Sequence, residues 1–99
     1  MNRFLLRKQA ENDLADIWRF TERRWNVEQA DRYFRRIIDA LTQLAGRPDL
    51  GRRCDEIRDG YRRYNVGSHV IFFRMDGENV DVVRILHARR DFIRHLPKA

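Results

Sequence analysis

The 99-residue sequence predicts an α+β fold: a helical hairpin packed on a small, mainly antiparallel sheet, in the order β-α-α-β-β-β-α. Three observations predict it. The run from Ile57 to Arg90 reads as three strands in succession, with Gly67-Ser68 and Asp76-Gly77 as two-residue turns between them. Before it, apolar residues recur at spacings of three and four in two consecutive stretches, the signature of two amphipathic helices. The break between those stretches is so short that the helices must form an antiparallel pair. One domain spanning 1–99 accommodates all of this.

Asn2 to Arg7 reads as a short strand with Phe4 and Leu6 on one side. From Gln9 to about Arg24 the period turns helical, with Ala10, Leu14, Ile17, Trp18 and Thr21 as the stripe. Glu11, Asp13 and Asp16 sit early in this helix and Arg23 and Arg24 late, each complementing the helix dipole. Trp25-Asn26 is the break. Asn26 is placed to cap the second helix, and Gln29 completes a capping-box spacing. That helix runs to about Ala45 on a stripe of Val27, Ala30, Phe34, Ile37, Leu41 and Leu44, widened by Tyr33 and Ile38. Gly46 ends it and Pro48 prevents a restart. Gly46 to Glu56 reads as a connecting loop with room for a mobile excursion. After the three strands, Phe92, Ile93 and Leu96 form a short helical segment that Pro97 stops.

The two turns fix a register in which Val66 faces His69, Tyr64 faces Ile71, and Ile71 faces Val82. One face then carries Tyr64, Val66, Ile71, Phe73, Val80, Val82, Arg84 and Leu86 and receives the helices. The other presents an apolar strip of Val70, Phe72, Val83 and Ile85, edged by Tyr61, Arg63, Arg74 and His87. A bare strip of that size predicts a partner that covers it. A slipped register, or cover from the chain's own C-terminal segment, is the alternative.

Composition bounds the function. Hydrophobic residues make up 42% and charged residues 36%, which excludes a disordered chain. No stretch reaches the roughly 20 apolar residues of a membrane span, and the N-terminus lacks the apolar run of a signal peptide, so a cytoplasmic location with no membrane partner is expected. A single cysteine, Cys54, excludes an internal disulfide and a cysteine-rich zinc site; in its polar surroundings it reads as a semi-exposed, incidental thiol. No metal site or cofactor is predicted. The formal charge is +6, and all but Lys8 and Lys98 of the 21 basic residues are arginines. Arginine's flat fork suits carboxylates, phosphates and rings, so an acidic protein surface or a nucleic acid is the expected kind of partner.

The element order, together with GYRRYNVGSHVIFFR (Gly60 to Arg74) and VDVVRILHARRDFIRHL (Val80 to Leu96), resembles the ParE branch of the ParE/RelE toxins, the small toxins of type II toxin–antitoxin modules also called plasmid stabilisation proteins. The likeness covers essentially the whole chain. It implies a cytoplasmic growth inhibitor silenced by a cognate, ParD-like antitoxin encoded beside it. Promoter DNA would be reached only indirectly, through the antitoxin. The resemblance implies one of two activities. RelE-like members cut messenger RNA on the ribosome; ParE-like members bind DNA gyrase and are not nucleases.

RelE-like enzymes usually place one arginine in the central strand, another just after the last strand, and a tyrosine or histidine near the C-terminus. Here the first position falls on Val70, which cannot stabilise a phosphorane. Arg89 matches the second, and His95 lies near the third, with His87 as another proton carrier. Loss of one preorganised cation costs on the order of 10²–10³ in rate. The expected function is therefore gyrase inhibition without catalysis, with a ribosome-dependent mRNA endonuclease using Arg89, His87 and His95 as the alternative. A basic nucleic-acid-binding module without toxicity is a further one. Arg63, Arg74, His87, Arg89, Arg90 and Phe92 are assigned to the toxicity surface. Trp25, Tyr61, Val70, Phe72, Val83 and Ile85, with the outer face of the helical hairpin, are assigned to the antitoxin. His87 can instead be a strand-end histidine bonding a backbone carbonyl, and Trp25 can fold over the helix ends.

Overall fold

The computed structural model describes residues 3–98. Strand β1 (Phe4–Leu6) leads directly into helix α1 (Lys8–Arg24), and α2 (Val27–Gly46) follows after Trp25 and Asn26 alone. The Asn26 side chain accepts from the Gln29 N–H at 2.8 Å, so the cap read from sequence is made. The Trp18 indole donates to Asp31 at 2.9 Å and ties the two helices together. A 3₁₀ turn (Pro48–Leu50) and a two-residue strand β2 (Arg52–Arg53) occupy what reads in sequence as a loop. Strands β3 (Arg62–Val66), β4 (His69–Asp76) and β5 (Asn79–His87) and the one-turn helix α3 (Phe92–His95) complete the chain.

The five strands form one sheet in the order β1-β5-β4-β3-β2, antiparallel except for β1, which runs parallel to β5. This is the α+β architecture expected. The β3–β4 register follows the turn at Gly67-Ser68 as predicted, with Val66 opposite His69 and Tyr64 opposite Ile71. Gly67 adopts φ +56, and the Tyr33 ring packs where a Cβ would sit, so both the turn and the contact demand glycine. The β4–β5 register differs from prediction twice. The turn falls one residue later, at Gly77-Glu78, with Asp76 opposite Asn79. Then Phe73 pairs with Val82 but Phe72 with Arg84, leaving Val83 as a bulge. Ile71 therefore faces Ile85, not Val82.

That bulge redistributes the faces. Ile85 joins Val80 and Val82 in the core beneath the helices, while Val83 and Leu86 belong to a second core on the far side. The helix-side core takes Ala10, Leu14 and Ile17 from α1 and Ile37, Leu41 and Leu44 from α2. Val27 and Phe34, counted into the α2 stripe, are 52% and 38% exposed and stand outside the core.

The far face is not bare. Loop residues Cys54, Ile57 and Tyr61 and the C-terminal residues Phe92 and Leu96 pack over Val70, Phe72 and Val83. Cys54 is fully buried there rather than semi-exposed, and burial pushes its thiol pKa up. The C-terminal strap is fastened by side chains. Arg58 donates to the carbonyls of Ile93 and Leu96, Tyr61 to that of Pro97, and Arg84 to that of His95. The carbonyls that a helix end leaves without partners are thus supplied with donors.

Arg84 also grips α1. Its Nε and Nη2 meet Asp13 at 2.8 and 2.9 Å, a bidentate pair, and Asp13 accepts the Ile85 N–H at 2.9 Å as well. Both side chains are largely buried. Removing one partner of such a pair strands the other, so Asp13→Ala is expected to lower stability by roughly 3 kcal/mol, read as a shift of the urea midpoint. Asp13→Leu combined with Arg84→Met should recover only part of that loss, because the Ile85 N–H then lacks its acceptor.

Candidate functional site

The end of the sheet where β4 begins and β5 finishes opens toward α1. His69 and His87 stand directly opposite each other there, their rings 5.3 Å apart and edge to face. The predicted register puts His87 on the far face beside Arg63 and Arg74; the Val83 bulge turns it to the helix side instead. A cleft of about 390 Å³ lies in front, floored by Ile17, Ile85 and Leu86 and rimmed by Arg19, Phe20, Arg23, His87 and Arg90.

The histidines are not equivalent. His69 Nδ1 lies 2.6 Å from the Tyr33 hydroxyl, which also accepts the Ser68 N–H at 3.1 Å. Burial first, then the neighbouring His87, push the His69 pKa down to about 4, against a smaller opposing pull from Asp13. His69 is therefore neutral at pH 7, with Nδ1 hydrogen-bonded to the Tyr33 hydroxyl, which also lies 3.2 Å from the Val66 carbonyl. Burial raises the Tyr33 pKa. His87 is exposed, and its Nδ1 accepts the Arg89 N–H at 3.1 Å. His95 Nε2 accepts from Arg90 Nη1 at 3.3 Å. Arg89 and Arg90 are exposed on the turn after β5.

The remaining residues assigned to toxicity lie elsewhere. Arg63 stacks over the rings of Phe92 and Phe72 at 5.2 and 5.8 Å, and Arg74 over Tyr61 at 5.7 Å, all on the far face. The Nε atoms of both arginines are buried without a hydrogen-bond partner, held by ring faces instead. Phe92 packs on Phe72 at 4.7 Å. The sequence grouping of Arg63, Arg74 and Phe92 with His87, Arg89 and Arg90 thus separates into two faces. Tyr61, Val70, Phe72, Val83 and Ile85, assigned to a bare strip, are each no more than 2% exposed. The bareness that motivated the assignment is removed for the first four by the strap and loop, and for Ile85 by the helices.

Trp25 keeps the position expected of an anchor. It is 67% exposed at the hairpin tip, with the Arg24 guanidinium 5.9 Å from its ring centre, and it does not fold over the helix ends. Phe20, 63% exposed, was not singled out in sequence, because it falls beside the α1 stripe in a position that reads as solvated. Arg58 and Tyr33 also escape sequence reasoning, since their partners lie 33 to 38 residues away. Among the described residues, no three His, Cys, Asp or Glu side chains gather as metal ligands, and no helix is long and apolar enough to cross a membrane.

Two solved structures share the fold: the chromosomal ParDE toxin–antitoxin system of P. aeruginosa (TM-score 0.78, 19% identity, covering 88% of this chain and 96% of that one) and the toxin–antitoxin complex RelBE2 of Mycobacterium tuberculosis (TM-score 0.64, 17% identity, 87% and 96%). Residues 4–92 match the family described as ParE toxin of type II toxin-antitoxin system, parDE. Toxin ParE1 of M. tuberculosis is 47% identical over 96% of this chain and 98% of its own length. Toxin ParE1 of Caulobacter vibrioides is 40% identical over 97% and 99%. The chain belongs to the ParE toxin family.

The environment of His69 has a consequence for stability. In the unfolded chain the imidazole takes up a proton near pH 6.5, in the fold only near about 4. Its contribution is fully present above pH 6.5 and is lost as pH falls toward about 4. Chemical denaturation from about pH 7.5 to about 5 should register a loss on the order of 1 kcal/mol, the full linkage value of about 2 being discounted for the solvent that reaches the ring. His69→Gln should flatten that part of the profile.

Proposed function

We propose that this chain inhibits growth by binding DNA gyrase without catalysing a reaction, and that a cognate, ParD-like antitoxin holds it silent in the cytoplasm. The observation that carries the non-catalytic reading is Val70. The place where RelE-like nucleases carry a central-strand arginine is here an aliphatic residue, 1% exposed, beneath the C-terminal strap. No cation can be offered to a scissile phosphate from there, and water is excluded. Of the proton carriers named from the sequence, His87 Nδ1 accepts the Arg89 N–H and His95 Nε2 is occupied by Arg90.

The exposed apolar groups of the hairpin supply the antitoxin's seat. Phe20, Trp25, Val27 and Phe34 are all open to solvent and lie on α1, α2 and the joint between them. An aromatic anchor of this kind concentrates binding energy. Arg89 and Arg90, exposed beside His87, are the toxicity residues retained from the sequence grouping; Arg63, Arg74 and Phe92 are committed to contacts inside the fold.

Induced expression with and without the neighbouring antitoxin gene, followed by gyrase supercoiling and cleavage assays, tests this reading. The expected result is growth arrest relieved by the antitoxin, with gyrase inhibited in vitro. Messenger-RNA cleavage in a translating extract, lost in Arg89→Ala or His95→Ala while supercoiling proceeds normally, would establish the endonuclease instead. Arg89→Ala with Arg90→Ala should leave thermal stability unchanged and weaken gyrase inhibition at least about tenfold. Trp25→Ala should weaken antitoxin binding about 30-fold by titration, equivalent to about 2 kcal/mol.

A further inference from the structure

A second basic surface lies away from the histidine cleft, along the free edge of β3. β2 covers only Arg62 and Arg63 of that strand, so the edge from Tyr64 to Val66 has no strand neighbour. A groove of about 460 Å³ runs between this edge and α2, and Arg32, Arg35 and Arg36 line it from the helix. A second hollow of about 270 Å³ continues it past Tyr64 and Asn65 to Arg52 and Arg63. Asp39 is the one carboxylate in the lining of the two hollows.

Arg32, Arg35, Arg36 and Arg52 therefore border a single channel, while Arg63 at its far end is stacked on Phe92 and Phe72. Glu28, Asp31 and Asp39 share α2 with three of these arginines. Even so, among the described residues none of the four has a carboxylate oxygen within 4.0 Å, whereas Arg7, Arg19, Arg47, Arg53 and Arg84 each do. Phosphate oxygens laid in the channel would supply the pairing these guanidiniums lack.

We propose that this groove binds one phosphodiester strand of duplex DNA, without sequence preference. Arginine forks suit phosphate oxygens, and the turn-by-turn spacing on α2 offers them in a row. Single-stranded nucleic acid is disfavoured because it needs aromatic platforms for its bases. The groove's aromatic ring, Tyr64, is half-buried against the helix-side core. The site is independent of gyrase, and its test contains no topoisomerase.

The experiment is fluorescence anisotropy of a labelled duplex of about 20 base pairs with the purified full chain across a salt series; each phosphate-neutralising arginine contributes about 0.9 to the slope of log affinity against log salt. Arg32→Gln with Arg35→Gln and Arg36→Gln should lower that slope by about 3 and weaken binding tenfold or more at about 0.1 M salt. Arg3→Gln with Lys8→Gln and Arg94→Gln removes the same charge from outside the groove and should lower it by less than about 1. Arg32→Lys with Arg35→Lys and Arg36→Lys keeps the charge and should retain the slope, which separates lost charge from lost fold. Equal losses in the two glutamine variants, tighter binding of the single strand than of the duplex, or displacement of the duplex by polyglutamate of matched charge would each overturn the assignment.

Discussion

One carboxylate holds the architecture together. β1 is three residues long, and its last rung is the Arg7 N–H bonded to the Val82 carbonyl. Beyond it β5 would present an unpaired edge, because the chain has already turned into α1. Asp13, on the second turn of that helix, takes over: it accepts the Ile85 N–H where a strand neighbour would have. Arg84 keeps the carboxylate aimed there, and its remaining nitrogen reaches Gln9 and the His95 carbonyl. A single guanidinium thereby fixes α1, β5 and the C-terminal strap relative to one another. A buried pair of this kind adds little net stability over an apolar substitute, so what it contributes is one defined arrangement.

The bulge at Val83 decides which residues share a site. One extra residue turns the remainder of β5 over, sending Ile85 and His87 toward the helices and Leu86 toward the strap. Without it, His87 would stand over the second core beside Phe72 and Phe92. With it, His87 meets His69 and opens onto the cleft below Phe20 and Arg23. The strap can then close the far face completely, leaving the hairpin tip, the basic turn after β5 and the β3 edge as the surfaces open to partners.

Much of this was legible in the residues. The helical hairpin, the Asn26 cap and the β3–β4 register follow from local signals: a 3.6-residue period, a capping spacing, and a glycine that only a tight turn requires. β5 was not legible past Val82. A bulge at a valine between valine and arginine leaves no mark on an alternating pattern, and a turn displaced by one residue shifts the register in the same silent way. The strap is legible as a helical segment but not as a fastened cover, since Arg58, Tyr61 and Arg84 show no tie to it in sequence until their carbonyl partners are placed. Hence Trp25, Arg89 and Arg90 were found as exposed groups, whereas the strip of Val70, Phe72 and Val83 was mistaken for open surface.

The parallel pairing of β1 with β5 sets an order of events during synthesis. Phe4 waits for Val80 and Arg7 for Asp81, so the first strand has no mate until β5 has been made. The helical hairpin can form early, but it has no finished sheet to rest on. The strap that roofs the other side follows β5 and is made later still. Both faces of the sheet are therefore completed only once β5 and the strap have left the ribosome, and until then the apolar stripe of the helical hairpin stays uncovered.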